Sequence, residues 1–171
     1  SLKKVAKIDG IVVPKELINR GEKTLRKLLP RESKMKFVDL ALLSLIWPYN
    51  VVTKKETEEI LKNVEYHLVK RKGLIRYKTD YYYNKNEDGY SEEAEWTFGF
   101  SWLSVIYDKL GDTKKAKKYL NLALQTVNKE GLVPELYYSN SDIYNENTPL
   151  GWAESLFVIA LYEINRKHSK R

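Results

Sequence analysis

Glu135 stands directly behind Pro134 in the stretch GLVPELYYSNSDIYNENTPLGWAESLF, residues 131–157. A carboxylate held behind a proline, among Tyr137, Tyr138 and Tyr144, can be positioned and partly desolvated. Those are the conditions a general base needs. A solvated loop residue or a helix cap has the same signature, and the residues alone favour that plainer assignment. A second loop, GLIRYKTDYYYNKNEDGY, begins at Gly73 and carries Arg76, Asp80 and five tyrosines. Loops of this length inside a compact domain are usually functional or disordered, and the tyrosines argue against disorder.

Other chemistries find less support. There is no cysteine, which excludes disulfides and thiolate metal sites. The two histidines, His67 and His168, lie far apart in sequence, so neither a His-rich metal site nor a cofactor is expected. No apolar run reaches membrane-spanning length and no signal peptide opens the chain, so no membrane partner and a cytoplasmic location are expected. The net charge of +7 raises the question of nucleic acid. The lysines, however, interleave with glutamates, as in TKKETEEILKNVE, which is the pattern of a solvated helix face, and no nucleic-acid partner is expected. Abundant Lys and Glu with a single Met suits a thermophilic source. The first residue is Ser, so a processed chain or a piece of a longer one is expected.

At 171 residues the chain is most simply one domain. Residues 1–13 form a lead-in. Periodicity then predicts helices over 15–29, 36–47, 53–71, 92–110, 113–129 and 149–165. Thr53 and Glu56 have the capping-box spacing, Ser91 and Asp112 are N-cap residues, and Gly73, Gly111 and Gly131 are αL stops. Amphipathic helices alternate with helices apolar nearly all round, the mark of outer and buried inner layers.

An internal repeat accompanies the alternation. Gly73-Leu74-Ile75 recurs as Gly131-Leu132-Val133, and Trp96 recurs as Trp152; Gly10-Ile11-Val12 followed by Phe37 is a weaker copy. The period of roughly sixty residues fits one long-looped helical hairpin. The expected fold is all-α, a curved, two-layered array of three hairpins, fewer than a closed toroid usually needs.

Three blocks are similar to glycoside hydrolase family 15, the glucoamylase and glucodextranase family. Gly73-Leu74-Ile75-Arg76-Tyr77 with Asp80-Tyr81 resembles its G-x-x-R-Y-x-x-D-x-Y loop. Glu93-Ala94-Glu95-Trp96 with Phe100 to Leu103 resembles the next loop and inner helix. Gly131-Leu132-Val133-Pro134-Glu135 with Pro149-Leu150-Gly151-Trp152-Ala153 resembles the catalytic loop and the helix after it. Asp39-Leu40-Ala41-Leu42-Leu43 is a weaker match. The resemblance runs from about residue 36 onward and implies the C-terminal half of the catalytic barrel, about half of an (α/α)6 toroid. Two positions depart from the pattern: Leu136 replaces the usual Gln or Glu, and the acidic Ser91-Glu92-Glu93 replaces a Gly-rich loop.

The resemblance implies an inverting exo-α-glucosidase acting on α-glucans from the non-reducing end. Inverting enzymes place a general acid and a water-activating base on opposite faces of the sugar. Glu135 is implied as the base. Arg76 and Asp80 match a sugar-contacting loop, where they would bind vicinal hydroxyls; a surface ion pair worth little is the alternative. Trp96 would offer a pyranose its apolar face or serve as core packing. Trp152 is expected to support the Glu135 loop, and Trp47 and Trp102 to be core. The family's acid lies in the other barrel half. Glu92, Glu93 and Glu95 look like substitutes, but a helix N-terminus favourable to negative charge explains them better. The chain alone is therefore expected to be inactive, to partner the missing half, and to self-associate through its exposed flanks. A non-catalytic helical-repeat interaction module is the competing class.

Overall fold

The computed structural model describes residues 5–84 and 93–168. Helices dominate: α1 (Lys15–Leu28), a 3₁₀ turn (Leu40–Leu42) leading into α2 (Leu43–Ile46), α3 (Lys54–His67), α4 (Phe98–Lys109), α5 (Thr113–Leu124) and α6 (Gly151–His168). The fold is all-α as expected, built as successive outer–inner hairpins. The inner helices α2, α4 and α6 lie side by side in chain order, and α5 packs along α4 and α6.

Burial follows the sequence pattern where a helix has neighbours on both sides. Every residue of α4 from Phe98 to Asp108 is buried. Outer helices bury one stripe, Thr57, Ile60, Leu61 and Val64 in α3 and Ala116, Tyr119, Leu120 and Ala123 in α5. At the ends of the array this changes. No residue of α1 is buried; Arg26 ties that helix to Glu56 and to the Val51 carbonyl. Helix α6 was expected to be buried on most sides, yet among its described side chains it buries only the stripe Ala153, Leu156, Ala160 and Ile164. Trp152, Val158 and Tyr162 on its other faces are 53–66% exposed, with no further helix of the described residues packed on them.

Several expected boundaries move: the outer helices α3 and α5 end early, at His67 and Leu124 rather than 71 and 129, and the inner helices start late because the loops before them pair with one another. The helix expected from residue 36 begins only after Asp39, which is extended and bridges Tyr77. The helix expected from residue 92 begins at Phe98, because Glu95–Trp96 form β1, paired antiparallel with β2 (Leu136–Tyr137). The expected cap at Ser91 and first-turn Glu92 lie outside the described residues. Leu74 also bridges Trp96, and Tyr137 bridges Tyr144. Short β-stitches thus run across the mouth of the array from one hairpin to the next.

Thr53 and Glu56 form the full capping box, and Asp112 accepts from Lys115 N–H. Helix α5 ends at Leu124, short of Gly131, so of the expected stops at 111 and 131 Gly111 alone closes a helix, although both have positive φ, +82° and +79°. Gly73 does not, and the reason for glycine there is spatial. A Cβ at Gly73 would stand 2.5 Å from the Trp96 carbonyl oxygen, where β1 crosses the chain. Within the described residues, no helix is long and apolar enough to cross a membrane.

Candidate active site

The Glu135 loop is fixed at each residue. Val133 N–H donates to Glu154 of α6 at 2.7 Å. The Thr97 hydroxyl donates to the Pro134 carbonyl at 2.5 Å, and Thr97 N–H to the Glu135 carbonyl at 3.3 Å. Glu135 N–H donates to the Asn147 carbonyl at 3.3 Å. The side chain is half-buried. Its Oε2 accepts from Asn145 Nδ2 at 2.6 Å and Asn147 Nδ2 at 2.8 Å. Among the described residues both donors converge on one oxygen, and Oε1 receives none.

Asn147 Nδ2 also donates to the Tyr83 hydroxyl at 3.3 Å, and that hydroxyl donates to Glu146 at 3.1 Å. The bond to Glu146 pushes the Tyr83 phenol above its ordinary value. Tyr83 holds a positive φ, +56°, a conformation that bulky residues adopt only where surroundings enforce it. Its ring packs edge-on against Tyr82 at 4.6 Å, and Tyr82 stacks on Trp96 at 6.1 Å. An aromatic chain therefore leads from the Asn147–Glu135 pair to Trp96.

Arg76 and Asp80 bind each other through two parallel hydrogen bonds, Nε to Oδ2 at 2.5 Å and Nη2 to Oδ1 at 2.8 Å. Asp80 is 2% exposed and also accepts from Tyr82 N–H. This is a buried-end, bidentate pair rather than a surface contact. The Asp80 carboxylate raises the Arg76 pKa still further. The guanidinium lies 4.7 Å from the Trp96 ring centre and 4.9 Å from that of Tyr82, within cation–π range. Both oxygens of Asp80 are thus occupied, and the residue acts on its surroundings through Arg76.

Arg76 and Trp96 sit at one end of an open cleft of about 850 Å³. Its walls are mainly apolar, with Trp47, Phe98, Trp102 and Trp152 in them. Trp102 is buried, as expected, and donates its indole N–H to the Trp47 carbonyl at 2.9 Å. Trp152 does not brace the Glu135 loop; it is 53% exposed, stacks on Phe98 at 4.3 Å and forms cleft wall. The bracing from that helix comes from Glu154. Glu135 flanks the cleft at its Trp96–Thr97 edge and does not line it. Glu95, expected on a helix N-terminus, is a buried strand residue. Within the described residues, no group of three His, Asp or Glu is arranged to hold a metal.

Sequence reasoning missed Asn145, Asn147, Thr97 and the bridging role of Tyr83. The only signal for the two asparagines was position, an Asn-rich turn following the carboxylate within one loop.

No protein-family model matches the chain. It is 26% identical over 170 residues to an uncharacterized glycosyl hydrolase of Methanocaldococcus jannaschii, a match that covers 88% of this chain and 25% of that protein. A solved wild-type glycosidase superimposes with a TM-score of 0.70 at 17% identity, over 88% of this chain and 43% of that one. A glycosidase variant solved in complex with glucose gives a TM-score of 0.69 at 16% identity over the same shares. The fold is therefore that of part of a helical glycosidase. The chain spans a quarter of the length of the curated relative and under half of the solved glycosidases.

Proposed function

We propose that this chain supplies the water-activating side of a glycoside hydrolase active site, with Glu135 as general base. The observation that carries this reading is the anchoring of Glu135: one oxygen is fixed by Asn145 and Asn147, and the other receives no donor from the described residues. A base needs that geometry, since it must be oriented and still reach a water. Arg76, held by Asp80, is the fixed donor of the sugar-facing wall, and Trp96, only 5% exposed with Arg76 over its ring, backs that donor. The reaction is inverting hydrolysis of α-linked glucans from the non-reducing end, in the manner of glycoside hydrolase family 15. The glycosyl hydrolase relative and the glycosidase fold support the broader class; the family blocks around Arg76, Trp96 and Glu135 support the narrower one.

The general acid stands outside this chain, on the part of a glycosidase that the chain does not span, so the chain alone is inactive. Glu93 is spent on Thr79 N–H at 2.8 Å, and Glu95 is buried. The test is maltooligosaccharide hydrolysis by a polypeptide that joins this chain to the remainder of the barrel. Replacing Glu135 by Gln should lower kcat by about 10²–10⁴-fold, the usual worth of a general base, and NMR should show the first-formed glucose as the β-anomer. Retained activity in the variant, or an α-anomer product, would overturn the reading. Glucose release from maltose by this chain alone would overturn the placement of the acid.

A further inference from the structure

Glu95 belongs to no part of the chemistry proposed above, yet it is a carboxylate only 1% exposed. Burying that charge is expensive unless hydrogen bonds compensate. Its two oxygens go to two different arms of the mouth. Oε2 accepts from Lys72 N–H in a short hydrogen bond, and Oε1 accepts from Asn140 N–H at 3.0 Å. Lys72 opens the arm that carries Arg76. That arm continues through Leu74 N–H to the Trp96 carbonyl at 3.0 Å, and ends with the Arg76 carbonyl accepting from Leu40 N–H at 2.7 Å. Asn140 is the tip of the arm that carries Glu135 and both of its asparagine donors. Its φ is +53°, and the chain folds back there so that Tyr138 N–H meets the Ile143 carbonyl at 2.9 Å and Asn145 N–H meets the Leu136 carbonyl at 3.3 Å.

We infer that Glu95 is a positioning residue: its carboxylate fixes the arm bearing Glu135, Asn145 and Asn147 against the arm bearing Arg76. The inference rests on the reading of Glu135 as a site residue. A carboxylate is the side chain this role requires, because it presents two acceptor oxygens and no donor. Glutamine, of the same shape, offers one oxygen and turns an NH₂ toward the second N–H. Strand pairing reinforces the clamp, since Glu95 pairs with Tyr137 and Trp96 with Leu136. The residue that looks like a spare acid in the sequence thus sets the separation of the two groups that face a sugar.

The test uses the full chain and ¹⁵N NMR with amide hydrogen exchange, comparing wild type with Glu95→Gln and Glu95→Ala. In wild type the Lys72 and Asn140 amides should exchange slowly. In Glu95→Gln at least one of them should exchange roughly tenfold faster, as expected for a lost hydrogen bond to a charged acceptor. The side-chain NH₂ signals of Asn145 and Asn147, which do not touch Glu95, should shift as their arm is released. Should Glu95→Ala not fold, the isosteric Gln variant still decides. Unchanged exchange at both amides in Glu95→Gln overturns the clamp; so do faster amides with unmoved Asn145 and Asn147 signals, which would make Glu95 merely structural. Glu135→Gln separates this from the parent reading. It should shift the two asparagine signals and leave Lys72 and Asn140 protected, whereas full hydrolysis by that variant in the joined enzyme would sink the base and leave the clamp standing.

Discussion

Asn147 and Glu135 hold each other twice. The Asn147 carboxamide donates to Glu135 Oε2 at 2.8 Å, and Glu135 N–H donates to the Asn147 carbonyl at 3.3 Å. Side chain and backbone are thereby locked to the same partner, twelve residues on. Rotation of the carboxylate would break the first bond, and displacement of the loop would break the second.

Removing the side-chain half of this contact is the direct probe. Asn147→Ala should lower kcat of the joined enzyme by about 10–100-fold, the range for losing a hydrogen bond to a charged group, with a smaller change in KM. Asn147→Asp should be worse, since it sets a second negative charge against Glu135. Steady-state kinetics on maltooligosaccharides provide the check.

Arg76→Lys tests the pair with Asp80. Lysine cannot form the two parallel bonds, and it leaves an oxygen of a carboxylate only 2% exposed short of a partner. The expected loss of stability is about 1–3 kcal/mol, read as a lower urea midpoint in the chain by itself.

Gly73→Ala should be destabilising by about 1–3 kcal/mol, the range for forcing extra atoms into a packed site. The added Cβ meets backbone, the Trp96 carbonyl, which cannot rotate away. Gly111→Ala is the control: it has open space around it and a φ of +82°, so its loss is one of backbone strain alone. Thermal melts of the two variants should separate, with Gly73→Ala also disturbing the Leu74 and Trp96 amide signals.

Glu65 predicts the acid limb of stability. It accepts from Lys115 Nζ at 2.8 Å and Tyr119 Oη at 2.6 Å. Burial pushes its carboxyl up, but the bonds from Lys115, Tyr119 and Tyr107 prevail and hold it below the ordinary value of 4.5. A carboxyl lowered by folding contributes stability above its unfolded value and loses it as pH falls through the folded one. Urea midpoints should therefore hold steady at neutral pH and fall below about pH 4.5, and the fall should be shallower in Glu65→Gln.

Light scattering of the chain alone should report a mass above the 20.1 kDa monomer at micromolar concentration. Val158 and Tyr162, one turn apart, expose apolar surface along α6, and exposed apolar surface favours association. Val158→Lys with Tyr162→Lys should return the mass to the monomer. A monomeric wild type would show that this face is tolerated in water.

Much of the fold was legible because it is written in local chemistry. The Thr53–Glu56 box, the Asp112 cap and the glycine stop at 111 act within one turn, and each formed, whereas α5 ended at Leu124, short of Gly131. The starts of the inner helices were misread because they depend on partners far along the chain. Trp96 has helical neighbours in sequence but pairs with Leu136 and bridges Leu74. The same limit applies to the site. Glu135, Arg76 and Trp96 were named from loop position and resemblance, whereas Asn145 and Asn147 became visible only once the loop closed on itself. Glu95 was misplaced because its acidic neighbours imitate a helix start.

The β-stitches across the mouth have a consequence for how such a protein can change. Each hairpin has its own helices, but no hairpin owns its mouth loop. Leu74 is bonded to Trp96 of the next loop, and Trp96 to Leu136 of the one after. Transplanting a single hairpin into a homologous scaffold would tear seams on both sides. The loops form a laminated panel that must be inherited or redesigned as a unit, while the outer helices beneath remain free to drift one by one.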